Sequence, residues 1–151
     1  MTTGKIIQVS EIEITYNPVL KPSEMTKISC SKDAAELFRS IWDKPVQLRE
    51  SFYALYLNRS NKVLGYHLIS LGGISGTVVD PKCVFQVALK ALASGLIVAH
   101  NHPSGNTEPS SQDLAITKKL KEAGQLLDLN LLDHIILLPD GYVSLADEGL
   151  L

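Results

Sequence analysis

The run Leu96-Ile97-Val98-Ala99, between Gly95 and His100, constrains this chain more than any other stretch. It is too short for a helix and apolar at every position, where a half-buried strand would alternate. It therefore predicts a central strand, and such a strand needs neighbours on both edges and cover on both faces. The flanking sequence supplies candidates. Asp80-Pro81 is a helix start, with a carboxylate at the cap and proline in the first turn. Val84, Val87, Ala88, Ala91 and Leu92 form the buried face of that helix, and Gly95 is its expected stop. A second helix is expected from near Ser110, with Leu114, Thr117, Leu120 and Lys121 along it, closing near Gly124 or one turn later. Ser31 is placed to cap a third helix running to about Trp42, with Ala34, Ala35, Leu37, Phe38 and Ile41 as its apolar stripe and Pro45 as its end.

Strands are expected elsewhere. Ile6 to Tyr16 alternates, with Ile12, Ile14 and Tyr16 on one side, the pattern of a half-buried strand that Asn17-Pro18 breaks. Glu50 to Asn58 and Val63 to Ser70 predict a hairpin across Arg59-Ser60-Asn61-Lys62. The glycines of LGGISGTVV predict a bend and then a short strand. Leu131 to Leu138 and Tyr142 to Leu145 flank the turn Pro139-Asp140-Gly141. Helices interspersed with hairpins indicate an α/β domain with a mixed β-sheet packed against helices. At 151 residues the chain is the size of one domain.

Charge excludes some functions. The net charge of -2 argues against a protein that binds nucleic acid with its whole surface. Lys118, Lys119 and Lys121 are the densest basic group, and they are expected to form the solvated face of a helix. The two cysteines, Cys30 and Cys83, lie beside apolar residues in no metal-binding spacing and are expected to be small buried hydrophobes. The N-terminus lacks the basic start and apolar run of a signal peptide. No window approaches the roughly 20 apolar residues of a membrane span, so a cytoplasmic protein without a membrane is expected.

The chemistry is concentrated where the central strand ends, in HNHPSGNTEPSSQD, residues 100–113. In extended chain, side chains two apart point the same way, so His100 and His102 converge while Asn101 faces away. Ser110 and Asp113 are three apart at a helix start and share a face. Helical side chains lean toward the N-terminus, which aims both back at the loop. Two histidines and one carboxylate are three metal ligands with a fourth position left for water, the pattern of catalytic rather than structural zinc. Such a metal lowers the pKa of its water to about 7. A carboxylate must still move the proton, and Glu50, Glu108, Glu122 and Asp133 are all open for that role. Glu108 is the choice by proximity in sequence. The Ser110 hydroxyl could stabilise an oxyanion. The same residues also have a plain structural explanation, a polar loop followed by a Ser110–Asp113 capping arrangement.

The pattern His100-x-His102, seven residues, Ser110, two residues, Asp113 resembles the signature of the JAB/MPN (JAMM) metalloproteases. The wording HNHPSG, together with Gly76-Thr77, Pro81, Asp133-His134 and Tyr142-Val143-Ser144, resembles the RadC branch of that superfamily over roughly residues 45 to 150. Residues 1–44 are expected to add a strand, loop and helix to the same domain, and residues 45–151 to form the JAB/MPN metal-binding domain. The resemblance implies a fold related to that of cytidine deaminases, one zinc ion held by His100, His102 and Asp113, a catalytic glutamate at Glu50 and a catalytic serine at Ser110. Deaminase chemistry itself is disfavoured, because it needs His-x-Glu and Cys-x-x-Cys. The family glutamate is usually followed by His-Phe, where this chain has Ser51-Phe52. Ser51 is expected to point away from Glu50 and to be tolerated.

The implied activity is zinc-dependent hydrolysis of peptide or isopeptide bonds in a peptide or protein substrate. The alternative is a DNA repair or processing accessory protein with a structural or vestigial metal site. Longer RadC proteins resemble DNA-repair factors partly through a helix-hairpin-helix region, and residues 1–44 are too short and too different to supply one. His134 is expected to be a polar strand residue bonded to Asp133 or the backbone, ahead of a role orienting a metal ligand. His67 is expected on an exposed strand face, and Trp42 and Tyr53 in packing.

Overall fold

The computed structural model describes residues 8–72 and 78–151. One five-stranded sheet has the order β2-β1-β3-β4-β5, formed by β1 (Ser51–Leu57), β2 (Val63–Leu71), β3 (Gly95–Asn101), β4 (Asn130–Leu137) and β5 (Tyr142–Ser144). β3 is the central strand, antiparallel to β1 and parallel to β4, so the sheet is mixed. Three helices cover it: α1 (Ser31–Ile41), α2 (Pro81–Lys90) and α3 (Ser111–Leu126).

The period of two along the inner strands divides the core. Tyr53, Leu55 and Leu57 of β1, Ile97 and Ala99 of β3, and Ile135 and Leu137 of β4 pack with Ala34, Ala35 and Phe38 of α1. Phe52, Ala54, Tyr56, Leu96 and Val98 face the other way, onto Val84, Phe85 and Ala88 of α2 and Leu120 of α3. β3 is buried at all seven positions, as an apolar strand between two helical layers must be. Its last two residues inherit the alternation: His100 continues the α2/α3 face and Asn101 the α1 face.

Several expectations change. Ile6 and Ile7 lie outside the described residues, and residues 8–19 form no strand. Ile12 is 87% exposed and Ile14 76%. Alternation specifies a strand only where a neighbour pairs with it, and among the described residues this segment meets β2 through a side-chain hydrogen bond, from the Tyr16 hydroxyl to the Leu64 carbonyl. Gly73 to Thr77, and with them the expected bend and the Gly76-Thr77 match, are outside the described residues. Val78 and Val79 carry no strand. Both cysteines are exposed, not buried: Cys30 holds the cap position of α1, and Cys83 lies in the first turn of α2, on its outer side. Ser31 is the first residue of α1 instead of its cap, and its hydroxyl is spent on Tyr142 and Asp147.

Asp80 caps α2 as expected, its carboxylate accepting from Lys82 N. Gly95 does not end that helix. The chain leaves α2 at Ala91 and turns through Leu92 at φ 56°, and Gly95 begins β3 close to the Asn130 carbonyl. Lys118 and Lys119 are exposed and Lys121 half-buried, with Lys118 3.9 Å from Glu122. No helix among the described residues is long and apolar enough to cross a membrane.

Candidate metal centre

At the carboxyl end of β3 the chain leaves the sheet, and a turn returns it to α3. Gly105 N donates to the His102 carbonyl (3.0 Å), and Gly105 itself sits at φ 81°, where a side chain would be strained. α3 then starts at a reciprocal cap. The Ser110 hydroxyl accepts from Asp113 N (3.0 Å) and the Asp113 carboxylate from Ser110 N (2.8 Å). The capping arrangement and the metal arrangement are therefore one structure. The cap turns Asp113 toward the histidines, leaving Oδ1 3.2 Å from His100 Nε2 and Oδ2 3.1 Å from His102 Nε2. The ligand atoms of His100, His102 and Asp113 all lie within 4.8 Å of one another.

The hydrogen-bond chain around the rings can be followed from a group that can only accept. The Asp113 carbonyl can only accept, so it takes the one proton of the Thr117 hydroxyl (2.6 Å). Thr117 Oγ1 must then accept from His134 Nδ1 (2.6 Å). His134 is fully buried, and burial, the largest influence, pushes its pKa well below the usual histidine value. A neutral ring with its proton on Nδ1 has a bare Nε2, which accepts from His100 Nδ1 (2.7 Å). In a neutral His100 ring, Nε2 is then the bare nitrogen. On the other ring, His102 Nδ1 donates to the Asn106 carbonyl (2.7 Å), so in a neutral His102 ring Nε2 is bare too. The two bare nitrogens lie 3.0 Å apart and face a carboxylate. Only a shared cation reconciles lone pairs at that distance.

A proton is the simplest such cation. The Asp113 hydrogen bond raises the His102 pKa against opposing burial, with the Asn106 carbonyl and the charges of Asp113 and Glu50 adding to it. Burial works to raise the Asp113 pKa, but the hydrogen bonds from His100 and His102 outweigh it and hold the carboxyl well below its usual range. A divalent metal fits the same donor set: two imidazole nitrogens and one carboxylate oxygen, each oriented by a further bond.

The three donors open into a cleft of about 590 Å³ that is also lined by Glu50, Glu108 and Ser110. Glu50 stands one residue before β1. Phe52 pairs with His100 across β1 and β3, so stepping back two residues puts Glu50 on the His100 face, level with His102. The Ser110 oxygen accepts from the helix and keeps its own proton to donate into the cleft. Of the four carboxylates open in the sequence, the structure brings Glu50 and Glu108 to the cleft. Glu122 lies on the exposed side of α3. Asp133 is buried, its pKa raised chiefly by that burial, and it accepts from Ser144, His134 N and Ala146 N.

His134 fulfils its expected bond to Asp133 and takes the second role as well. Its backbone bonds Asp133, and its side chain orients His100. Thr117 completes the relay without having been singled out. The available signal was its position four residues after Asp113, which puts both on one face of α3.

The family model described as RadC-like JAB domain matches residues 28–150. A UPF0758 protein of Flavobacterium johnsoniae is 46% identical over 127 residues, covering 84% of this chain and 55% of that protein. A UPF0758 protein of Listeria monocytogenes is 37% identical over 146 residues, 97% of this chain and 64% of its own length. One from Methanosarcina mazei is 42% identical over 123 residues, 82% of this chain and 53% of its own. The chain thus spans between about half and two thirds of the length of these curated relatives.

Proposed function

The chain belongs to the family of RadC-like JAB domains, and from that membership and its three-donor site we propose a zinc-dependent hydrolase of peptide or isopeptide amide bonds. The observation that carries the proposal is the pair of bare histidine nitrogens converging with Asp113 in a cleft that also holds Glu50 and Ser110. Zinc suits a set of two imidazoles and a carboxylate with one position open. When bound there, it supplies a Lewis acid and lowers the pKa of a water molecule.

The chain's own residues do the rest. Glu50 accepts the proton of the attacking water and later delivers it to the departing amine. The Ser110 hydroxyl donates to the oxyanion of the tetrahedral intermediate. Asp113 makes the helix cap and would also hold the cation, so the turn that closes the loop also brings the donors together. The charge of the cleft favours a neutral amide over a phosphodiester. Its charged lining residues are Glu50, Glu108 and Asp113, with no lysine or arginine among the described ones, and residues 73–77 contain none in sequence. Phosphodiester hydrolysis usually draws on paired metals and cationic clamps. A cytoplasmic location accompanies this reading.

The test is a peptide-library cleavage assay with and without chelator, on the parent chain and Glu50→Gln. The variant is expected to keep its zinc and lose turnover by roughly 10²–10⁴-fold. Unchanged turnover in Glu50→Gln, or cleavage indifferent to chelator, contradicts the assignment. In that case salt-sensitive DNA binding by the His100→Ala/His102→Ala double variant would favour the accessory role instead.

A further inference from the structure

We infer that Asn101, the residue between the two histidines, is the positioning residue for Glu50. The inference rests on the hydrolase reading above and adds to it what places the proton acceptor. Asn101 is fully buried on the α1 face of β3. Its side chain uses three of its hydrogen-bonding sites on one short segment. Oδ1 accepts from Ser51 N, and Nδ2 donates to the carbonyls of Val46 and Arg49, each at 2.8 Å.

The Arg49 carbonyl belongs to the peptide unit before Glu50 and the Ser51 amide to the unit after it. One side chain therefore grips both peptide planes that flank Glu50. A second tie closes from the other side. Gly72 N donates to the Glu50 carbonyl (2.8 Å), and the Arg49 guanidinium holds the Gly72 carbonyl through Nε (3.2 Å) and Nη2 (2.9 Å). The backbone of Glu50 is fixed, and only its side-chain torsions remain to aim the carboxylate.

The alternation along β3 gives this arrangement its use. His100 and His102 point to the cleft, and Asn101 points through the sheet to the segment that leads into β1. His100 and Asn101 are the last two residues of β3, and His102 follows them directly. Their relative placement is thus set by covalent geometry, where a loop would let it drift. Reacting groups misplaced by about 1 Å can lose on the order of 100-fold in rate. Aspartate would keep the bond from Ser51 N but would turn a carboxylate toward two carbonyl oxygens. Alanine would lose all three bonds.

The test separates position from activity. Cobalt(II) is loaded into the parent chain, Asn101→Ala and Asn101→Asp, each with ¹³C-labelled glutamate, and paramagnetic relaxation of the Glu50 carboxyl carbon is measured by NMR alongside cobalt affinity. Both variants are expected to bind cobalt as the parent does and to show weakened relaxation at Glu50. Their turnover is expected to fall by about 100-fold, and Asn101→Ala is expected to add no further loss in a Glu50→Gln background, as residues acting through one another do. Unaltered relaxation at Glu50 in the variants overturns the inference, as does an additive loss in the double variant. So does failure of both variants to fold, which would make Asn101 a residue of the fold alone. If relaxation weakens while Glu50→Gln by itself leaves turnover intact, the positioning stands and the assignment of Glu50 as base fails. A parent chain that takes up no cobalt overturns both.

Discussion

At the scale of single residues, the site depends on where four protons sit. The direction of the relay from His100 through His134 and Thr117 to the Asp113 carbonyl leaves a bare nitrogen for the cation. Thr117→Val keeps the shape of the side chain and removes the acceptor for His134 Nδ1. His134 can then move its proton to Nε2, which turns it from an acceptor for His100 into a competing donor. Zinc affinity is expected to fall roughly 10–100-fold with the helix intact, as titration calorimetry against the parent would show. Undiminished affinity would mean that Thr117 does not set the tautomer. The three donors of the candidate site were legible, because His-x-His on a strand end and Ser-x-x-Asp on a helix start each carry their own geometry. The relay and Asn101 were not, because both depend on which residues lie opposite across the sheet, and one sequence does not state that register.

At the scale of elements, the joint between α3 and β4 leaves no room for a side chain at Gly124. Leu129 N donates to the Gly124 carbonyl (2.8 Å), and a Cβ on Gly124 would run into the Leu129 carbonyl oxygen. That obstacle is backbone, which cannot move aside as a flexible side chain can. Gly124→Ala, though favourable for helix propensity, is expected to destabilise the protein by about 1–3 kcal/mol, measurable by chemical denaturation. A neutral or stabilising result would contradict the packing described for this joint. Helix starts were legible from Asp80-Pro81 and Ser110, and the hairpins from their turn residues. The expected strand at Ile6 to Tyr16 shows the limit of such patterns. Alternation records that a segment could bury one face, but β2 forms its ladder with β1 and Ile12 and Ile14 stay exposed. The cysteines were misread for a related reason. Apolar neighbours in sequence say nothing about which side of a helix a residue occupies unless the period of 3.6 is followed.

At the scale of the whole molecule, the proposed metal would compete with a proton for one place where the end of β3 meets the start of α3. The His102 pKa is raised above its ordinary 6.5. In the metal-free protein the bound proton contributes stability that is fully present below that value and fades as pH rises through the raised pKa. Metal binding must displace the same proton from Nε2, so the sign reverses for the loaded protein. The rise in Tm on adding zinc is expected to be full well above the raised His102 value and to shrink as pH is lowered through it. A pH-independent rise in Tm would show that His102 is not a ligand. In the protein without metal, Asp113 contributes with the opposite sign to the His102 proton, and at lower pH. Its depressed pKa contributes stability present above the usual carboxylate value and lost as acid protonates it.

All of this depends on three side chains from a strand end and a helix start holding one cation, and diffraction at the zinc absorption edge tests that most directly. The expected result is a single anomalous peak per chain, at about 2.0–2.2 Å from His100 Nε2, His102 Nε2 and an Asp113 carboxylate oxygen. A peak bound through the Nδ1 atoms, one that leaves Asp113 uncoordinated, or none at all from zinc-saturated crystals would contradict it.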